Sequence, residues 1–286
     1  YDAVPRTASA VEGTALVDKV GGILSLRWTA LAFVPSSLLL GVNTHISTDI
    51  AAVPLLWVIP LALYLFTYVL FYARRPPLPH LWMVKLQAYL LLLFVIVLHF
   101  SILSLSLTVF LHLATFFVTA MVCHGELARF RPHTRHLTEF YLWMSFGGVL
   151  GGAFNALLAP VLFTTVAEYP LAIVFACALR PMLEEGRKGR WQLDIILPLS
   201  LAAIVWSAFQ VPAETLVSVF DERWKVLLVA AIDAMIAFSF TTRPIRRALG
   251  IGVLLVAVSN RMDHRSTVYA ERSFFGVHQV KKDDNA

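Results

Sequence analysis

Apolar stretches about as long as a bilayer is thick recur along this chain, and that repetition constrains the fold more than any other feature. A membrane-crossing helix needs about 20 mostly apolar residues at about 1.5 Å each. About nine stretches meet or approach that length, at 26–43, 52–73, 81–100, 104–124, 139–161, 167–181, 192–210, 224–241 and 245–259. The sixth and ninth are short. Hydrophobic residues fill 58% of the 286 positions and charged residues 14%, more apolar surface than a soluble domain of this length can hide. Lipid is therefore the expected solvent. The expected fold is all-α, a polytopic transmembrane helix bundle of eight or nine spans over 26–260, with a polar linker at 1–25 and a polar tail at 261–286.

The loops carry their positive charge on alternate crossings. One side holds Lys19 and Arg27, Arg74 and Arg75, then Arg129, Arg131 and Arg135. It continues with Arg180, Arg187, Lys188 and Arg190, and then Arg243, Arg246 and Arg247. On the other side "VNTHISTDIA", "FSILSLS" and "VLFTTVAE" contain neither lysine nor arginine, and only "QVPAETLVSVFDERWK" adds Arg223 and Lys225 beside its acids. Membrane proteins keep lysine and arginine in cytoplasmic loops, so this alternation predicts a cytoplasmic N-terminus. The net charge of +5 is spread over these loops with no single basic face, which excludes nucleic acid as the expected partner.

The stretch 125–138 reads accordingly as a cytoplasmic turn, and its cluster of Glu126, Arg129, Arg131 and Arg135 as loop charge. Asp233 lies within "KVLLVAAIDAMIAFSF", where a carboxylate must face other helices, find a donor or stay protonated. It is a candidate proton or cation relay, or an interhelical hydrogen bond. His112 and His99 lie on adjacent spans, His99 nearer the outer end, and packing or interhelical bonding is favoured over a haem or metal pair. His45 and Asp49 share a helical spacing in an outer loop, where Asp49 or Thr48 is expected to cap the second helix. Pro35, Pro54 and Pro60 are expected to break the first two spans locally. Gly147/Gly151 and Gly148/Gly152 form two overlapping G-x-x-x-G pairs, a surface on which another membrane helix, of this chain or a partner, can approach closely. Cys123 and Cys177 read as small packing residues.

No dinucleotide or P-loop glycine pattern, H-E-x-x-H, C-x-x-C or nucleophile elbow occurs, so no catalytic residue, metal or cofactor is expected in these residues. The tail "STVYAERSFFGVHQVKKDD" alternates apolar and polar residues around Gly276, as a strand or hairpin opening a soluble domain would. The start, "YDAVPRTASAVEGTALVDKVGG", lacks the basic front and apolar centre of a signal peptide and reads as a linker, so the chain is expected to be a piece of something longer.

Three segments carry a family resemblance: "VPSSLLLGVNTHISTDIAAVPLLWVIPLALYLFTYVL", "CHGELARFRPHTRHLTEFYLWMSFGGVLGGAFNALLAP" and "ERSFFGVHQV". The chain resembles the membrane-embedded part of bacterial fused transporter-like and spermidine-synthase-like proteins, densely over 26–180 and more loosely over 181–260. The resemblance implies a multi-pass bacterial inner-membrane protein, with 270–280 similar to the strand that opens the synthase-like domain. It transfers no catalytic residue. The expected function is a non-catalytic membrane domain that anchors or scaffolds a larger protein. The alternatives are an accessory subunit of a membrane complex and a proton- or cation-coupled transporter of polyamine-like solutes. The expected partners are the bilayer, membrane helices meeting the Gly147–Gly152 face, and a soluble domain of the same protein.

Overall fold

The computed structural model describes residues 21–47, 55–73, 78–100, 103–181, 191–210, 244–273 and 276–281. Almost all of these are helical. The helices are α1 Gly22–His45, α2 Val58–Tyr72, α3 His80–Phe100, α4 Leu105–Arg129, α5 Leu137–Ala153, α6 Ala159–Leu162, α7 Glu168–Ala178, α8 Trp191–Gln210 and α9 Pro244–Ser266. Strands β1 Thr267–Ser273 and β2 Gly276–Lys281 follow α9 directly as an antiparallel hairpin.

Among the described residues four segments are long and apolar enough to cross a membrane: Gly22–His45, His80–Leu98, Leu105–Arg129 and Thr134–Leu162. Val58–Tyr72, Glu168–Ala178 and Asp194–Ala203 are apolar but shorter. The expected count of eight or nine is therefore not reached. The second stretch starts only at Val58, and the candidate at 224–241 lies outside the described residues. The ninth helix runs on through polar residues to Ser266, so the tail expected from 261 begins as helix and becomes strand at Thr267.

Lipid does not reward apolar burial as water does but penalises exposed polar groups, so a helix bundle in lipid keeps greasy faces outward and turns polar groups inward. Leu65, Phe66 and Val69 on α2, Trp82 and Tyr89 on α3, and Leu142 and Val149 on α5 are exposed. Helix α1 lies at the centre, with Trp28, Leu31, Ala32, Val34, Leu38 and Val42 all buried. It passes unbroken through Pro35, contrary to the break expected there. Its neighbours supply the packing that a kinked helix would lose. Pro60 sits in the first turn of α2, where the missing N–H has no intrahelical partner to lose, and Pro54 lies outside the described residues.

Helices α1 and α5 approach to backbone contact. A methyl on Gly147 would strike the Thr29 carbonyl oxygen, and one on Gly151 would come within 2.5 Å of the Phe33 carbonyl oxygen. The offset pair is different, for Gly148 and Gly152 have nothing within 4 Å. Polar bonds hold the same seam. Ser36 Oγ donates to the Gly148 carbonyl at 2.8 Å, and Asn155 Nδ2 donates to Ser37 Oγ at 2.7 Å and to the Gly151 carbonyl at 3.0 Å. Asn155 belongs to a widened helical turn, Phe154–Leu158, just before Pro160, which can offer no backbone N–H.

Gly147→Ala should therefore cost about 1–3 kcal/mol by overpacking, whereas Gly148→Ala should be neutral or slightly stabilising, alanine being the better helix former. Thermal unfolding of the two variants in the same detergent checks the contrast.

Candidate functional site

The polar groups that sequence reading scattered along the loops converge on the interior of the bundle at two ends. At the end where α1 begins and α4 finishes, Glu126 is 1% exposed. His80 Nε2 on α3 meets its Oε1 at 2.7 Å and Arg129 Nη1 donates to the same oxygen at 3.0 Å. Arg27 Nη2 on α1 reaches Oε2 at 3.5 Å, with its guanidinium 4.0 Å above the Phe130 ring. The loop reading of Glu126 is corrected here. It is a buried carboxylate tying three helices, because the helix continues through Glu126 and turns it inward on the face of His112 and Thr119. Gly125 leaves the space that the His80 ring and Phe71 occupy. Arg131 and Arg135 remain exposed.

Two residues earlier on α4, His124 is fully buried. Thr67 Oγ1 donates its one proton to the Tyr64 carbonyl at 2.6 Å, so its 2.7 Å bond to His124 Nδ1 has the imidazole as donor. That tautomer leaves Nε2 as a bare acceptor, and among the described residues it has no partner. The Tyr68 ring lies against the imidazole with centroids 3.9 Å apart, and the Tyr64 and Tyr68 hydroxyls meet at 3.2 Å. Thr115, Thr119 and Gln87 are also buried with unpartnered side-chain atoms. On α4 the succession His112, Thr115, Thr119, Glu126 keeps one face polar along most of the helix.

At the other end, His112 Nδ1 meets the Tyr169 hydroxyl at 3.1 Å, and its Nε2 is unpartnered. Its ring neighbour is His45 of α1, with centroids 4.7 Å apart, so His112 packs and bonds between helices, as the sequence favoured. The side chain of His99, like Asp49 and Asp233, lies outside what is described. Among the described residues no group of three or more His, Cys, Asp or Glu side chains could hold a metal ion. Cys123 and Cys177 are buried free thiols. Beside this cluster Glu168, 1% exposed, accepts a two-pronged bond from Arg272 of β1, Nη2 to Oε1 at 2.7 Å and Nη1 to Oε2 at 2.8 Å, and Arg272 also reaches the Thr165 carbonyl. The hairpin is thus fastened to the end of the bundle opposite Arg27 and Glu126.

His80, His124, Gln87, Glu168, Arg180 and Arg247 went unremarked as sites in the sequence. The available signal was a polar residue inside or at the edge of an apolar run, as with Gln87 in "LWMVKLQAYLLLLF". Comparison with known proteins gives no relative: no family model matches the chain, and no curated protein and no solved structure is significantly similar to it.

Removing the Glu126 charge strands His80, whereas the exposed Arg129 simply returns to water. Glu126→Gln should cost about 1–3 kcal/mol, and Arg129→Gln less than about 1 kcal/mol. Chemical unfolding in mixed micelles distinguishes the two.

Proposed function

We propose that the chain is a non-catalytic membrane domain that anchors a soluble part of a larger protein, as the resemblance to the membrane half of spermidine-synthase-like fusions implies. The observation that carries this reading is the hairpin joint. Helix α9 passes straight into β1, and β1 is clamped to α7 through the buried Arg272–Glu168 pair. A bidentate guanidinium–carboxylate pair fixes orientation as well as distance. A free tail has no use for such a joint; a platform for a folded segment does.

The positive-inside reading puts the end bearing Arg27, Arg129, Arg131 and Arg135 in the cytoplasm of a bacterial inner membrane. The hairpin then lies on the opposite side, which favours anchoring over delivery of a cytosolic substrate to an enzyme. The open Gly148–Gly152 face leaves room for a neighbouring helix, consistent with a place in a larger membrane assembly. A second reading, proton- or cation-coupled transport, draws on the buried unpartnered groups of His112, Thr115, Thr119, His124 and Gln87.

Two measurements test the anchoring reading. Single cysteines at Arg135 and Glu271, with buried Cys123 and Cys177 as background, should label from opposite sides of intact spheroplasts, Arg135→Cys only after lysis. Labelling of both from one side would remove the crossing by α9; the reverse orientation would restore a cytosolic synthase-like partner. Arg272→Gln should raise proteolytic cleavage around the hairpin at least several-fold without loosening the helices. Unchanged cleavage would mean the pair does not hold the joint.

A further inference from the structure

Two arginines are buried in the bundle in a way the pairs described above do not explain. Arg180 is 4% exposed, and its Nε, Nη1 and Nη2 all lack a hydrogen-bond partner among the described residues. Arg247, on α9, is equally buried and its Nη1 is unpartnered. They belong to one neighbourhood. Arg247 lies within electrostatic reach of Cys177 on the last turn of α7 and of Tyr89 on α3, and Arg180 follows that same turn.

This neighbourhood is deep. Gly41 of α1 touches Tyr169 near the start of α7. From Tyr169 to Cys177 the chain descends about 12 Å at 1.5 Å per residue, which brings Cys177 level with roughly the middle of α1. Tyr89 stands near the middle of α3, in agreement. A charged side chain at that level normally faces a partner, a water-filled cavity or a solute path.

A guanidinium cannot neutralise itself by losing a proton, as a buried lysine or histidine can. Burial without a counter-charge is therefore uncompensated unless an anion completes it. The nearby acid on a described element, Asp194, is engaged by Arg246 at 2.7 Å. The C-terminal end of α7 favours positive charge through its dipole, but that field supplies no acceptor to the N–H groups on three unpartnered nitrogens. A planar fork of N–H donors matches the oxygen geometry of phosphate and carboxylate.

We propose that Arg180 and Arg247, at the C-terminal end of α7 and the facing turn of α9, form a binding site for a phosphate-type oxyanion inside the bundle. The depth favours a small solute anion over a lipid headgroup, whose phosphate lies at the interface. This inference does not rest on the anchoring role, and either can stand without the other.

The test uses the full chain in nanodiscs of phosphatidylcholine, titrated with inorganic phosphate against chloride at equal ionic strength and fixed pH. The unfolding temperature should rise by several degrees and saturate with phosphate only. Arg180→Gln should abolish the rise, and Arg180→Lys, which keeps the charge but loses the fork, should raise the half-saturating concentration about tenfold. In chloride alone Arg180→Gln should melt no lower than the wild type, because an unpaired buried charge has been removed. That result also shows that the variant folds. A rise that appears only when phosphatidylglycerol is added, and that still needs Arg180, keeps the site and names the headgroup as the source. A phosphate effect that persists in Arg180→Gln overturns the proposal. So does a wild type unresponsive to both phosphate and phosphatidylglycerol whose Gln variant melts lower in chloride, since Arg180 would then be structural.

Discussion

The structure depends on how closely α1 and α5 come together. In lipid, apolar side chains gain little by leaving their surroundings, so helices associate through dispersion contacts and hydrogen bonds that only a short approach allows. Gly147 and Gly151 let the Thr29 and Phe33 carbonyls almost touch the α5 backbone, and Ser36, Ser37 and Asn155 bridge the seam. With α1 held there, its other faces become a template. Trp28 turns its indole N–H to the Phe130 carbonyl and its ring edge-on to Phe140, while Gly41 receives Tyr169 of α7.

Polar residues then grade from paired to unpaired along the bundle. Glu126 and Glu168 are each surrounded by donors, and each joins separate elements of the chain. Between them lie His124, Thr119 and Gln87, whose groups are inward and incomplete, and beside α7 lie the two buried arginines. A domain made only to hold something in place needs the first kind of contact. The second kind carries a desolvation penalty that no partner among the described residues offsets, which is what the anion site proposed above would account for.

Much of the helical frame was legible from apolar length alone. The stretches 81–100, 104–124, 139–161 and 192–210 correspond closely to α3, α4, α5 with α6, and α8. What failed was rotation and context. Pro35 looks like a break in the sequence because the packing that supports it comes from residues over a hundred positions away. The two glycine pairs are equivalent in spacing, and only the facing carbonyls of α1 single out Gly147 and Gly151. Position along a span indicates depth but not direction, so the sequence placed His112 inside the bundle without showing that its ring neighbour is His45 on α1. Glu126, Arg180 and Arg247 were read as loop charge because they sit at the edges of apolar runs. Their burial follows from where the helices end, which hydropathy locates poorly.

The Arg272–Glu168 clamp also bears on how the chain is made. Its two partners are 104 residues apart, so Glu168 leaves the ribosome well before its counter-charge exists. At about 5–20 residues per second, that interval is roughly 5–20 s. During it the carboxylate has to stay at the water-facing rim, and α7 has no reason to settle at its final depth. Residues synthesised much later therefore help to seat a helix made earlier, and a chain that stopped before Arg272 would leave α7 unanchored at that rim.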